Sequence, residues 1–183
     1  EIRGRNTMLV SGRSIWTMIH GIALGGGALL ALAAALFALY PLRPRAGVSA
    51  DATASGPMAA LTGPIAALLW LTTLVGTYVV FPPYRVTPPE GTTDLTAYPR
   101  SLVLADPTTA WGQAFAMETK AHLPFIAAML ATSVAFVAWR YRERLLSDPG
   151  VRRIGATLLV TCFAIVSYVS LLGVFVNKLA PLE

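Results

Sequence analysis

Two histidines are the most chemically informative residues of this chain, and each lies just inside a long apolar segment. His20 is part of SIWTMIHGIALGGGALLALAAALFALY, and His122 is part of METKAHLPFIAAMLATSVAFVAW. An ionisable side chain at membrane depth is costly and usually has a function. Two neutral imidazoles on neighbouring helices can ligate the iron of one b-type haem, which needs no covalent attachment motif. The two histidines therefore predict a haem site between helices.

Glycines accompany the first histidine. Gly21 and Gly25 follow His20 within the run GIALGGG. The absence of side chains there would allow a flat macrocycle to approach the helix closely. The same two residues form a GxxxG pattern, which is typical of a helix-packing face in membranes. Both interpretations can hold at once.

Charged residues near the second histidine add further possibilities. Glu118 lies four residues before His122 and shares its helical face. It could orient His122 through a hydrogen bond, join both histidines in a direct metal site, relay protons to a quinol, or pair with a nearby cation at the interface. Arg85, Arg100 and Lys120 are candidate partners for haem propionates, although such side chains also snorkel to lipid headgroups.

Four apolar segments must position these residues. The chain has 183 residues, of which 55% are hydrophobic and 13% are charged, whereas soluble domains are about 25% charged. Segments at residues 14–40, 58–81, 113–139 and 153–176 each approach or exceed the ~20 residues that a ~30 Å hydrocarbon core requires. Their apolar runs are continuous, unlike alternating barrel strands. We therefore expect a single membrane domain over residues 1–183, an all-α four-helix bundle in contact with the lipid bilayer.

The connections predict the topology. Residues 82–110 form one long extramembrane loop between the second and third helices, and Asp106-Pro107 within it predicts a helix start. The third connection, RYRERLLSDPGVRR, carries five arginines and is expected in the cytoplasm. The termini and the long loop then lie outside a bacterial inner membrane, although the basic arm at residues 1–13 favours the opposite orientation. The first and third spans run in parallel, so both histidines lie near the same, outer face.

Charge and cysteine content exclude several classes of function. The net charge of +5 comes largely from arginines beside the spans, so topology explains it better than nucleic-acid binding does. Cys162 is the only cysteine, which excludes an internal disulfide, a CxxC zinc site and a CxxCH haem attachment site. The sequence contains no nucleophile–base pair, P-loop or dinucleotide-binding motif. We therefore expect no catalytic residues, and at most an electron-transfer subunit of an oxidoreductase complex.

On His20 and His122, the chain resembles four-helix b-type cytochrome membrane subunits of respiratory or photosynthetic redox complexes. The resemblance implies one haem b between the first and third spans, with electrons passing between quinol and a partner protein. Those cytochromes commonly hold two haems on four histidines, and this chain has histidines for one. Two alternatives remain: a non-catalytic accessory or assembly subunit of a larger membrane complex, and a quinol or metal site that uses Glu118 with the histidines.

Overall fold

The computed structural model describes residues 11–39 and 56–180, which form a bundle of four long helices and two short ones. The basic arm at residues 1–10 and the connection at residues 40–55 lie outside the described residues. Helix α1 is Gly12–Leu39. Helix α2 comprises Gly56–Val75, Gly76–Val80 and Phe81–Tyr84 in direct succession. The remaining helices are α3 (Pro99–Ala105), α4 (Pro107–Arg140), α5 (Arg142–Ser147) and α6 (Pro149–Leu179).

The predicted all-helical class is confirmed, since the described residues contain helices and no strand. The four long helices are each long and apolar enough to cross a membrane. The predicted loop at residues 82–110 is shorter than expected. Helix α2 continues to Tyr84, and α3 and the start of α4 occupy its second half, which leaves residues 85–98 as the non-helical part.

Aspartate–proline pairs start two of the long helices. The Asp106 carboxylate accepts a hydrogen bond of 2.8 Å from the Thr108 backbone N–H, which confirms the predicted start of α4. Asp148 caps α6 in the same way, with 2.7 Å to the Gly150 N–H. In both cases the next residue is proline, whose fixed φ suits the first helical position and whose missing N–H costs nothing there.

The long helices pack in a ring, in which each contacts its two neighbours: α1 with α2, α2 with α4, α4 with α6, and α6 with α1. Helices α1 and α4, which carry the two histidines, therefore lie diagonally across the bundle. Small residues fill much of the core, including Ala28, Ala35, Ala127, Ala128 and Ala131. This composition is typical of membrane bundles, in which close backbone approach replaces the hydrophobic effect as the source of helix association.

Three of the four long helices contain a π-helical segment, and these segments lie at the same end of the bundle. They are Ile19–Gly26 in α1, Gly76–Val80 in α2 and Gly112–Met117 in α4. Such segments change the angular phase of the helix that follows and often occur at functional sites. The end of the bundle that contains them is called the π end below, and it is the end that contains His20.

One side-chain hydrogen bond joins α2 to α4 within the membrane region. The Trp70 Nε1–H donates to Thr132 Oγ1 at 3.0 Å. Thr132→Val should lower the free energy of unfolding in mixed micelles by about 0.5–1 kcal/mol. Ser133→Ala is the matched control, because the Ser133 hydroxyl bonds only the Met129 carbonyl of its own helix, at 3.0 Å. Equal losses in the two variants would contradict a role for this bond in holding the helices together.

Candidate functional site

His20 packs against the backbone of α2. A Cβ placed on Gly76 would lie 2.6 Å from His20 Cε1 and 3.1 Å from Nε2, so only glycine leaves room for the ring. The Thr72 backbone carbonyl of the same helix approaches the imidazole. The Nδ1 atom is buried and has no hydrogen-bond partner among the described residues. The ring is thus held inside the bundle with one polar atom unsatisfied.

Lys120 is the residue of α4 that approaches His20 from across the bundle. Its side chain is half-buried, and it lies close enough to interact electrostatically with the imidazole. Its ammonium rests on Gly173 of α6, where a Cβ would lie 3.0 Å from Nζ. Lys120 continues the inward-facing stripe that begins with the buried residues Gln113, Ala116 and Met117. It is therefore directed into the bundle rather than towards lipid.

His122 lies on the opposite side of α4. Its ring is exposed, and Nδ1 is 2.7 Å from the backbone oxygen of Glu118. The Glu118 side chain is also exposed, so the predicted sharing of one face by these two residues is what the structure shows. A carbonyl oxygen only accepts hydrogen bonds, so Nδ1 carries the proton, and the neutral ring has its acceptor at Nε2. The structure therefore brings Glu118 and His122 together but does not bring His122 to His20.

The remaining predicted site residues lie apart from the histidine rings. Gly21 is exposed, and a Cβ there would meet nothing within 4 Å. Gly25 is buried, but its only close neighbour would be the His20 carbonyl of its own helix, at 3.4 Å. Arg85 is exposed after the end of α2 and places its guanidinium 5.5 Å from the centre of the Phe81 ring. The glycines that give room to the site are Gly76 and Gly173, on α2 and α6.

A second polar layer lies nearer the helix ends at the π end. The Tyr84 hydroxyl donates to Gln113 Oε1 at 2.7 Å, which joins the end of α2 to the start of α4. Arg100 of α3 interacts electrostatically with Tyr84, and its Nε is buried without a hydrogen-bond partner in the described part of the chain. The same is true of Nη2 of Arg13, near the start of α1. This layer, like the His20–Lys120 layer, contains basic and neutral polar groups.

Two carboxylates between α2 and α4 accept hydrogen bonds from residues close to them in the chain. Hydrogen bonds from the backbone and side chain of Thr96 hold the pKa of Asp94 below its ordinary value. The side-chain and backbone hydrogen bonds of Thr108 lower the pKa of Asp106 in the same way. Both aspartates are fully exposed. They stabilise local turns and the start of α4, and they do not neutralise the buried basic groups.

Comparisons with protein-family models, with curated proteins and with solved structures find no match to this chain. Within residues 11–39 and 56–180, no three His, Cys, Asp or Glu residues are grouped as a metal site would require. Haem needs only axial ligands. The two candidate ligands face different directions, since His20 packs against α2 whereas the ring of His122 is exposed on the outer side of α4.

An apolar cavity lies at the other end of the bundle from His20. Its volume is about 240 Å³, and Leu39, Val134, Tyr141, Gly155 and Leu158 contribute to its lining. These residues belong to the end with the arginine-rich connection. The cavity is therefore unrelated to the histidines, and we assign it no role in the site.

Gly76 and Gly173 are the part of the site that the positions of the histidines along the chain do not reveal. Lys120, expected as a partner of haem propionates, is the residue of α4 that faces the bundle in place of His122. The position of a residue along a span predicts its depth, but it does not predict which side of the helix the residue faces. Successive helical residues are separated by about 100°, so Lys120 and His122 point about 200° apart. The stripe that continues from Gln113, Ala116 and Met117 through Lys120 was the signal that could have identified the inward side of α4.

Proposed function

We propose that this chain is a membrane redox subunit in which His122 ligates one b-type haem on the outward face of α4, where another membrane subunit covers it. One observation carries the proposal: the His122 ring is exposed, and its Nδ1–H is fixed by the Glu118 carbonyl at 2.7 Å. Metal-ligating histidines almost always donate their second ring N–H to a carboxylate or a backbone carbonyl in this way.

The chain would contribute a histidine ring, that of His122, which is already oriented to bind iron. The Glu118 carbonyl selects the tautomer in which Nε2 is the unprotonated nitrogen, and the bond limits rotation of the ring. Bound haem would supply one-electron transfer at this position. An exposed glutamate and histidine within a long apolar helix are costly against lipid, which supports a covering subunit. His20 is inside the bundle, so the second axial ligand would come from that partner.

The proposal also includes an orientation in the membrane and a source of electrons. The arginine-rich connection between α4 and α6 supports a cytoplasmic location for that end of the bundle. His122 would then lie towards the outer face of a bacterial cytoplasmic membrane. Quinol dissolved in the bilayer would be the donor or acceptor of electrons on one side and the covering subunit on the other. Each of these assignments depends on the haem.

The test is an absorption spectrum, oxidised and reduced, of the protein extracted with its partners from native membranes in mild detergent. We expect a Soret band that His122→Ala abolishes and that His20→Ala retains. The matched pair of histidine variants separates the His122 site from a haem held by both residues, for which both variants would lose the band. A colourless, metal-free protein from haem-replete membranes would exclude the haem.

A second candidate is a cofactor-free accessory subunit of a larger membrane complex. The observation that favours it is the same exposed pair, since polar side chains of a partner helix would satisfy Glu118 and His122 as well as a metal would. This candidate predicts that the double variant Glu118→Gln/His122→Leu reduces the amount of assembled complex on a native gel without any change in the visible spectrum. Normal assembly in that variant would exclude the candidate.

A further inference from the structure

The buried basic groups at the π end have no acidic partner available from the helices around them. Helices α1, α2 and α6 contain no aspartate or glutamate at all. Helix α4 contains one, Glu118, and its side chain is exposed on the face opposite to Lys120. A cation removed from water needs a compensating negative charge or hydrogen bonds. The described residues supply Lys120 with neither a carboxylate nor a hydrogen bond.

Two glycines give these basic side chains their positions. Gly76 of α2 leaves the space that the His20 ring occupies, and Gly173 of α6 leaves the space for the Lys120 ammonium. A Cβ on residue 76 would overlap the His20 ring, and a Cβ on residue 173 would force the Lys120 ammonium to shift. His20 and Lys120 belong to the diagonal helices α1 and α4, and the glycines they pack against belong to α2 and α6. All four long helices therefore contribute to this layer.

Further polar groups lie between this layer and the helix ends. His20 and Lys120 are half-buried. His20 lies seven positions after Arg13, and Lys120 lies seven positions after Gln113, so the outer polar layer lies about 10 Å further out along both helices. That outer layer includes the unsatisfied nitrogens of Arg13 and Arg100. Positive groups thus extend from the end of the bundle to its interior.

We propose that His20 and Lys120 form an internal anion site, which binds a phosphate-bearing ligand that enters from the end of the bundle where Arg13 and Arg100 lie. The Lys120 ammonium supplies the charge. The Thr72 carbonyl accepts the N–H of the His20 ring, so the unsatisfied Nδ1 is an acceptor for a hydroxyl of the ligand. Lysine is a common ligand of phosphate groups, to which its ammonium binds as a point charge. The chemistry of the site would equally accept free phosphate. This proposal does not depend on the haem.

The experiment measures ligand-dependent thermal stability and native mass spectra of the full chain, purified in non-ionic detergent and stripped of lipid. Phosphatidylglycerol and inorganic phosphate are the anionic probes, and phosphatidylcholine is the zwitterionic control. We expect phosphatidylglycerol to raise the Tm of the wild type. Lys120→Gln should weaken its binding about tenfold, because a charge-assisted hydrogen bond is lost. Lys178→Gln is the matched control, since Lys178 is an exposed lysine at the same end, and it should bind as the wild type does.

A second variant covers the case in which Lys120→Gln fails to fold. Gly173→Ala keeps every charge but places a Cβ 3.0 Å from Lys120 Nζ, and it should weaken binding by displacing the ammonium. Gly26→Ala is its control, because the added Cβ would meet no side chain and no neighbouring helix within 4 Å. Binding of phosphate alone would identify a soluble anion, and binding of the lipid alone would identify a headgroup. Unchanged binding in both site variants, or equal weakening in Lys178→Gln, would overturn the proposal.

Discussion

Replacing Gly76 by alanine is expected to lower the free energy of unfolding by about 1–3 kcal/mol, the usual cost of inserting an atom into a filled interior. The added Cβ would lie 2.6 Å from Cε1 of His20, whereas carbon atoms attract one another at about 3.5–4.0 Å. Either the ring must leave its position or α1 and α2 must separate. Unfolding in mixed micelles of increasing SDS content measures the loss.

The cause can be isolated with a double-mutant cycle. In a His20→Ala background the ring is absent, so Gly76→Ala should cost less than about 0.5 kcal/mol. Gly26→Ala, in α1, is the control for the effect of alanine on a helix itself. Its Cβ would meet no side chain and no neighbouring helix within 4 Å, so the greater helix propensity of alanine should leave stability unchanged or slightly higher. An equal cost of Gly76→Ala in both backgrounds would show that the ring does not occupy this space.

The long helices could be predicted from the sequence because their signals are local. A run of apolar residues longer than the bilayer core requires a span, and an aspartate followed by proline starts a helix wherever the chain is free to form one. The four spans and the start of α4 at Pro107 follow from these rules. The sequence also predicts similar depths for His20 and His122, since depth depends only on the distance in residues from the start of a span.

The direction of each side chain could not be read in the same way. Membrane helices have apolar residues on all sides, so hydrophobic periodicity gives a weak signal of which face is internal. The internal face is indicated instead by small residues and by the angular position of each residue around the helix. Ala127 and Ala131 mark the inner face of α4, and Lys120 lies seven and eleven residues before them in the same regular helix, so it shares that face. His122 is two residues further along and points away, so Lys120 is the inward-facing residue at this level.

Two leucines of α1 at similar depth face opposite sides of the helix, so they can be compared directly. Leu32 is 0% exposed and Leu30 is 75% exposed, although the two leucines lie only two residues apart. Leu32→Ala should destabilise the bundle by about 2 kcal/mol or more, because neighbouring helices cannot fully close the cavity. Leu30→Ala should change stability by no more than about 0.5 kcal/mol, as expected for a position outside the core. Both values come from SDS unfolding of the purified protein.

The comparison also reports on what surrounds the bundle. Lipid tails are as apolar as leucine, so a leucine that faces lipid gains little from folding within the membrane. The loss in Leu32→Ala is then a measure of lost interhelical contacts rather than of transfer from water. A cost at Leu30 close to that at Leu32 would contradict the assignment of Leu30 to the lipid-facing side. It would require a second copy of the chain or another protein against α1, because only a packed surface makes an exposed leucine as costly to truncate as a buried one.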